Sequence, residues 1–504
     1  MFVRRRWRPR AVLAEAMAPV HGRPHLVRPA ARPASRRRLI SWTALALLTV
    51  GSVGYLGSAP ALSVYGLASV FLYVLPAFVF LVPVSLVAAE LASGWPGGVF
   101  NWVQEGISAP MGLLAVWCQF AQTIFYYPAL LAYVASTLAY VINDPGLAGN
   151  GVYNAVVIIV LFWGGVLVCS RGQALVARLG SGGTLLGTLI PAAILVALGL
   201  AYLLQGNHSA APMTAQHLLP AWAGLASIVL IVNSFFTYAG VEVNAVHVDE
   251  LRNPGREYPR SIFLAMALVL AVFIGPTLAI AWVIPAGQVS FTAGVMQAFD
   301  SLFTHFGVGF GVPLIAIALA VGALAGMLAW LDGPSEGLLR IGREEGYLPP
   351  YFQKVNGQGI EVRILAAQGT VITVIALLYA FIPSVSRAYW IFAVMATQVY
   401  LIMYVLMFIA AVRLRRSQPD HARGYRAPAL GLLCVVGGVS SAAALVIGFI
   451  PPSQFGHSNL LEYILLVLAG ILAIGIVPPL LLDRLRKPGW KADGGGSAGA
   501  EALG

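Results

Sequence analysis

Long apolar stretches recur along the chain and are separated by short polar connections. Each stretch is long enough to cross a hydrocarbon core about 30 Å thick as an α-helix. Hydrophobic residues make up 59% of the 504 residues and charged residues only 10%, whereas soluble domains carry roughly 25% charge. The pattern predicts an all-α integral membrane protein with twelve transmembrane helices. The predicted spans, numbered 1 to 12, are 39–65, 67–90, 111–141, 152–169, 181–204, 221–247, 262–285, 310–332, 364–382, 388–412, 428–450 and 460–482.

Positive charges fall almost entirely on one side of this predicted bundle. Twelve spans place both termini on the same side, and 29 of the 30 Lys and Arg residues then lie in the tails and connections of that side. Only Arg387 lies on the other side. Because cytoplasmic loops of membrane proteins carry the excess of Lys and Arg, both termini are predicted to be cytoplasmic in the cell membrane. Topology and attraction to anionic lipid therefore account for the net charge of +11, and nucleic acid is not an expected partner.

The regions outside the bundle are two tails. Residues 1–38 contain eleven Arg and five Pro and cannot form a hydrophobic core, so they are predicted to be a disordered cytoplasmic tail. The membrane domain covers 39–482, and 483–504 form a short second tail that ends in Gly, Ala and Ser. The three cysteines all lie inside apolar segments, which favours buried hydrophobic residues over a disulfide framework or a metal cluster. No cofactor or metal is expected.

Two predicted spans contain small or polar residues where the others are uniformly apolar. Span 1 holds the Gly- and Ser-rich stretch 51–58, and span 6 holds 233–242, which ends on Glu242 near bilayer depth. One interpretation is close helix packing through small residues. However, the breaks occupy matching places, in the first of five spans and the first of the next five, which favours an inverted-repeat transporter with a site between two discontinuous helices. The N–H and carbonyl groups freed at such breaks suit the carboxylate and ammonium groups of an α-amino acid.

Motifs in and after these spans resemble a known superfamily. The stretch 238–242 followed by Asn253-Pro254-Gly255-Arg256 is similar to the sixth helix and following loop of the amino acid–polyamine–organocation superfamily. Glu90 with 95–102 resembles its loop after helix 2, and 343–349 resembles its loop after helix 8. Within the superfamily, the glutamate/γ-aminobutyrate antiporters are the most similar branch. The points of similarity to that branch are Val241-Glu242 with His247 and Glu250, the segment 293–297, and Gly333-Pro334-Ser335.

The resemblance implies a LeuT-type fold, with a 5+5 inverted repeat, discontinuous helices 1 and 6, and two further helices. It also implies sodium-independent exchange of one amino acid for another. The break in span 1 would bind the substrate carboxylate, the carbonyls of 238–240 would bind the amine, and Phe236 would form an aromatic gate. The candidate substrate-binding residues are Gly51, Ser52, Val53, Gly54, Tyr55, Gly57, Phe236, Tyr238, Ala239, Gly240, Tyr400 and Tyr404, together with Gln119 and Gln122 of span 3.

Three features depart from the family pattern. The superfamily usually has Gly-Ser/Ala-Gly at the first break, whereas alignment from Pro60 places Val53-Gly54-Tyr55 there. The glutamate/γ-aminobutyrate branch closes its cytoplasmic mouth with a long C-terminal plug, and few residues follow Leu482 here, so an acid-gated plug is expected to be absent or very different. Span 8 has Gly326 where that branch has a carboxylate.

Several candidate residues also have a purely structural interpretation. Glu242 is the candidate for proton binding and gating, because ionisable residues at bilayer depth are costly and usually face the bundle interior or water. The alternative is a hydrogen bond that ties helices together. Tyr400 and Tyr404 lie on one helical face. They either line a pocket or only pack against neighbouring helices. Gln119 and Gln122 form a polar stripe with Tyr126, and their amides either contact substrate or join helices.

Two classes of function fit these features. The first is a secondary amino-acid transporter, for which both broken helices argue, and the second is a membrane-embedded sensor or accessory subunit of the same fold. Within transporters, exchange competes with proton-coupled uptake, and the absence of Lys from span 5 favours exchange. The expected partners are an amino acid or amine substrate and membrane lipid, with a homodimer left open. No Arg or Lys lies within a span to pair a substrate's side-chain carboxylate.

Overall fold

The computed structural model of the protein describes residues 40–53, 56–172, 183, 185–456 and 459–491. Helices are the regular secondary structure of these residues, which confirms the predicted all-α class. The predictions for the tail 1–38, for Gly54 and Tyr55, and for the last thirteen residues fall outside this part of the chain.

The α-helices of the described residues are numbered in chain order. They are α1 (Trp42–Ser52), α2 (Ala59–Ser63), α3 (Ser69–Pro76), α4 (Val82–Gly94), α5 (Val99–Gly106), α6 (Ala109–Val141), α7 (Gly151–Cys169), α8 (Ile190–Leu204), α9 (Val232–Tyr238), α10 (Pro254–Val283), α11 (Gly294–His305), α12 (Val312–Glu345), α13 (Val362–Leu378), α14 (Val385–Ser417), α15 (Leu430–Ile447), α16 (Leu460–Gly470) and α17 (Val477–Leu485). Segments of π-helix cover Ala77–Leu81, Leu185–Leu189 and Ile471–Ile476. Segments of 3₁₀-helix cover Leu56–Ser58, Gly66–Ala68, Pro145–Gly149, Ala215–His217, Leu225–Ser227, Val229–Ile231, Val241–Glu250, Ala286–Gln288, Gly309–Gly311, Ser453–Phe455 and Pro488–Trp490.

Most of the predicted spans correspond to helices of sufficient length and apolarity to cross a membrane. The described residues contain ten such helices, or eleven when Trp42–Gly51 and Leu56–Ser63, which meet at 56°, count as one bent span. Predicted span 9 corresponds to α13, a shorter apolar helix of 17 residues. The described part of the chain therefore contains ten or eleven apolar spans, and the count of twelve stays a prediction.

Some helices extend beyond the predicted spans or lie between them. Helix α12 continues to Glu345 and α14 to Ser417. The predicted spans end earlier because hydropathy falls at the first charged residues, although the helices themselves continue. The short helices α5 and α11 occupy connections for which no element was predicted. Helix α5 buries Phe100, Trp102 and Val103, but the helix has only eight residues and is too short to predict a span.

The two interrupted spans contact each other at their breaks. Helix α9 ends at Tyr238, and Gly240 adopts a left-handed conformation with φ of 99° before 3₁₀-helix resumes at Val241. A residue with a Cβ rarely adopts this conformation, so glycine suits this turn. The Asn233 amide donates to the Ser58 carbonyl at 2.9 Å. The Tyr389 hydroxyl donates to the Gly57 carbonyl at 3.2 Å. Protein groups thus satisfy carbonyls at the first break, as the hydrocarbon environment requires.

A buried ionic cluster joins the end of α4 to the connection after α14. The Glu90 side chain is only 3% exposed and the Arg423 side chain is fully buried. Oxygen Oε1 of Glu90 accepts hydrogen bonds from Arg415 and Arg423, each at 2.7 Å. Oxygen Oε2 accepts one from the backbone N–H of Ala427 at 2.8 Å. The cluster fixes α4 against the loop that precedes α15.

The substitution Glu90→Gln should destabilise the protein strongly. It leaves the buried Arg423 guanidinium without a counter-charge, and breaking a buried ion pair in this way costs about 3–5 kcal/mol. Thermal unfolding in detergent measures the effect. The matched substitution Glu250→Gln, at a side chain that is 38% exposed, should leave the midpoint nearly unchanged. Equal midpoints for the two variants would show that the cluster does not stabilise the fold.

Candidate functional site

A cavity of about 610 Å³ lies between α1, α6, α12 and the 3₁₀-helix Val241–Glu250. Small residues of α12, among them Gly326 and Gly333, form one wall and leave room beside the helix, because a Cβ at either position would meet no atom within 4 Å. Of the described residues that line the cavity, Glu242 alone is charged. The aromatic residues Trp102 and Tyr126 line other parts of the wall. This combination of apolar wall and few polar groups is typical of a small-molecule site.

Glu242 is buried, with 2% of its surface exposed, and its carboxylate accepts several hydrogen bonds. The Tyr400 hydroxyl donates to Oε1 at 2.6 Å, and the Tyr404 hydroxyl donates to Oε2 at 2.5 Å. The Gln119 amide lies 3.4 Å from Oε1. The backbone N–H of Gly240 donates to Oε2 at 3.1 Å. These donors stabilise a carboxylate that would otherwise be costly to bury.

The helix break positions Glu242 for these contacts. The left-handed turn at Gly240 ends α9, and Glu242 follows in the first turn of the 3₁₀-helix. The Gly240 N–H also donates to the Tyr404 hydroxyl at 2.8 Å, so this hydroxyl accepts from the break while it donates to the carboxylate. A change in the protonation of Glu242 would therefore alter hydrogen bonds at the break itself.

Helix α14 and the π-helix Ala77–Leu81 hold the two tyrosines in place. Tyr400 and Tyr404 are one helical turn apart, and their ring centroids are 4.9 Å apart. Phe80 packs edge-on against Tyr404 at 5.0 Å. All three residues are buried, and π-helical segments are frequent at functional sites. The tyrosine hydroxyls have little freedom to turn away from Glu242.

The structure brings some of the predicted site residues together. Gln119, Gly240, Tyr400 and Tyr404 all contact the Glu242 carboxylate. Gly51 lines the cavity together with Glu242 and Gln119. Phe236 packs edge-on against the cavity-lining Tyr126, with ring centroids 5.5 Å apart.

Val53, Gly57, Gln122, Tyr238 and Ala239 are not among the described residues that line the cavity. Val53 is buried in the hydrophobic core. The Tyr238 hydroxyl donates to the Tyr73 carbonyl at 2.9 Å. Ala239 and Gln122 are buried, and the Gly57 carbonyl is bonded to Tyr389. Ser52 belongs to the last turn of α1, whereas Gly54 and Tyr55 are outside the described residues. The substrate contacts assigned to these positions stay predictions.

Sequence reasoning missed the two tryptophans of the cavity wall. Trp102 and Trp330 line the cavity, but one lies in a connection and the other in a uniformly apolar span. Neither position carries a periodic signal that differs from ordinary packing. The contact between Glu242 and the tyrosine pair was also missed, because it joins residues 158 and 162 positions apart.

Comparisons with known proteins identify the family. The family model for amino acid permeases matches residues 40–473, and the chain belongs to that family. The chain is 32% identical to an uncharacterized transporter of Legionella pneumophila, over 89% of this chain and 97% of the relative. It is 29% identical to a glutamate/gamma-aminobutyrate antiporter of Lactococcus lactis, over 85% of this chain and 87% of the relative. These findings confirm the predicted superfamily and the predicted branch.

A solved structure confirms the fold at a coarser level. The crystal structure of MhsT in complex with L-phenylalanine superposes with a TM-score of 0.52 at 14% identity. The superposition covers 82% of this chain and 99% of MhsT. This likeness agrees with the predicted LeuT-type arrangement of the helices. The protein is thus a multi-pass membrane protein of a transporter family.

Loss of the Tyr404 hydroxyl should impair transport more than loss of the Tyr400 hydroxyl. Tyr404→Phe removes a donor to Glu242 and an acceptor for Gly240, whereas Tyr400→Phe removes one donor. Hydrogen bonds to charged groups contribute about 1.5–3 kcal/mol each. Exchange rates in proteoliposomes measure which of the two substitutions impairs transport more. Tyr379→Phe, which removes a buried hydroxyl bonded to Pro128, is the control. Equal rates for the two site variants would contradict the bridging role of Tyr404.

Proposed function

We propose that this amino acid permease is a sodium-independent antiporter that exchanges one amino acid for another. The observation that carries the proposal is the buried Glu242 carboxylate, which lines the cavity and is bonded to the helix break at Gly240. The similarity to a glutamate/gamma-aminobutyrate antiporter supports exchange as the mode of transport. A group that both faces the cavity and contacts the break can link the ligand to a change in helix conformation.

The chemistry of the cavity restricts the form in which substrates bind. Of its described lining residues, Glu242 is the charged one, and no Lys or Arg faces it from the described wall. A substrate with a charged side-chain carboxylate would lose hydration without gaining a cationic partner. We therefore expect zwitterions with neutral or amino side chains to bind directly. An acidic amino acid would enter with its side chain neutral or with backbone help.

In this proposal, the protein is in a conformation whose cavity opens towards the cytoplasm. It extends to Gly98 and Pro334, which border connections on the side predicted to be cytoplasmic. Phe236 precedes Glu242 in a span predicted to run from the outside inwards, so its contact with Tyr126 lies outward of the carboxylate. An aromatic pair in this position would close the outer path while the inner path is open.

Transport by purified protein separates the proposal from a sensor or accessory subunit. We expect proteoliposomes loaded with unlabelled amino acid to take up labelled amino acid from sodium-free buffer. Labelled glutamate, γ-aminobutyrate and a neutral amino acid form the substrate panel. Substrate binding without uptake for every member would favour the non-transporting alternative.

The charge distribution also leads us to propose a definite orientation. Both termini and the loop 253–260 should be cytoplasmic, and the segment 287–307 should be outside, because of the positive-inside pattern. Single cysteines at the exposed positions Asn253 and Gly287 test this with an impermeant thiol reagent on intact cells. Position 287 should be labelled in intact cells. Position 253 should be labelled only after the cells are permeabilised. Labelling of position 253 in intact cells would contradict the orientation.

A further inference from the structure

A second cavity lies at the exposed periphery of the helix bundle, away from Glu242. It has a volume of about 410 Å³ and is formed by α6, α13, the end of α12 and the last helical span. Trp117, Phe120 and Ile364 are among its lining residues, and Gln368 is the polar side chain of the described lining. Trp117 donates to the Ile474 carbonyl at 2.7 Å, which ties α6 to the π-helix on the opposite wall. We refer to this cavity as the apolar crevice.

The apolar crevice opens towards the surface that hydrocarbon would contact. Its lining residues Val371 and Leu481 are 37% and 49% exposed. Ala367 and Ala473 are also exposed and leave space on facing elements because their side chains are short. A concave apolar surface within a membrane is filled by lipid chains, and the apolar lining of this one suits an acyl chain.

Basic residues stand at one end of the apolar crevice. Lys354, Arg363 and Arg484 each lie within two residues of a lining residue, and Asp483 is the acidic residue beside them. Arg363 immediately precedes Ile364 of the lining, and its guanidinium lies 4.3 Å from the ring centroid of Tyr351. One N–H of Arg363 donates to the Tyr351 carbonyl at 3.0 Å. A guanidinium carries five N–H donors, so further donors remain for an anionic group.

We propose that the apolar crevice is a binding site for an anionic phospholipid. One acyl chain lies along Phe120 and Ile364, and the phosphate headgroup contacts Arg363 with Lys354 and Arg484. This end of the bundle is the one predicted to be cytoplasmic, where anionic lipids are enriched and each nearby basic residue contributes attraction. The charge at the crevice end selects an anionic headgroup over a zwitterionic one.

Native mass spectrometry of the purified full chain tests the proposal. The protein is mixed with equal amounts of phosphatidylglycerol and phosphatidylcholine that carry the same acyl chains. We expect one phosphatidylglycerol to be retained in preference to phosphatidylcholine by about fivefold or more, since one basic residue near a charged lipid surface already gives an effect of this size. Equal retention of the two lipids would overturn the proposal.

Two sets of variants locate the retained lipid. Ala367→Trp and, separately, Ala473→Trp should fill the crevice and remove the retained lipid, whereas Ala443→Trp on the exposed face of α15 should not. The triple variant of Lys354, Arg363 and Arg484 to Gln should lose the preference for phosphatidylglycerol and keep phosphatidylcholine binding. The matched control changes the exposed Arg252, Arg256 and Arg260 to Gln. Unchanged lipid retention in both Trp variants would overturn the site. So would dissociation of a dimer in those variants, because a second copy of the chain would then be the occupant.

Discussion

The substitution Gly326→Trp is expected to reduce substrate binding and exchange strongly while the protein still folds. A Cβ at position 326 would meet no atom within 4 Å, because it points into the cavity that Glu242 lines. The indole then occupies the space that a substrate needs. Forcing a ligand and a bulky side chain into one site costs about 1–3 kcal/mol, which corresponds to a loss of affinity of roughly 5- to 150-fold.

The control for this variant is a glycine-to-tryptophan substitution at an exposed position on the periphery of the bundle. Gly164 of α7 is exposed, and a Cβ there also meets no atom within 4 Å. Gly164→Trp should therefore bind and exchange amino acids as the unmodified protein does. Monodisperse elution of both variants from a sizing column confirms folding. Full exchange by a folded Gly326→Trp variant would show that substrate does not pass through this cavity.

The substitution Glu242→Gln is expected to flatten the dependence of exchange on pH. Gln keeps the size and much of the hydrogen bonding of Glu but cannot gain or lose a proton in this range. Because Glu242 contacts the Gly240 break directly and through Tyr404, its proton should be linked to the conformational equilibrium that exchange requires. Substrate binding should remain measurable, since the proposed carboxylate and amine contacts come from the backbone.

Exchange rates from about pH 4.5 to about pH 8 measure this effect, over the range in which a perturbed carboxyl group titrates. Glu250→Gln serves as the control, because Glu250 lies on the same 3₁₀-helix, is partly exposed and pairs with His247 at 3.2 Å. The control should keep the full pH profile. If the Glu242→Gln variant also keeps the full pH profile, the role of Glu242 is to tie helices together, and another group is responsible for the titration. A pH response that is independent of substrate would equally count against linkage.

Hydropathy predicted the membrane spans well because one physical property, the length of an apolar run, determines whether a helix can cross the bilayer. Helix α6 begins at Ala109 and ends at Val141, close to the predicted bounds 111–141. The same property cannot detect α5 and α11, which lie outside the apolar runs. It also cannot find the end of α12, where the helix continues through charged residues.

The candidate site was only partly predictable. The glycine at position 240 and the acid at position 242 stand out in an apolar sequence, and the structure places both at the break. The partners of Glu242 come from α6 and α14, and no local pattern specifies which helices meet. The position of Gly326 on the cavity wall likewise depends on tertiary packing. Sequence therefore located the polar groups, and the structure supplied their contacts.

Efflux from preloaded proteoliposomes tests the central proposal, amino-acid exchange, most directly. The vesicles contain labelled amino acid, are sodium-free, and have equal pH on both sides. The proposal predicts that efflux into buffer without amino acid stays near the leak of protein-free vesicles, and that external unlabelled amino acid accelerates it several-fold. Equal efflux with and without external amino acid would contradict exchange. Accumulation by empty vesicles under an imposed pH gradient would contradict it as well, and would assign the protein to proton-coupled uptake.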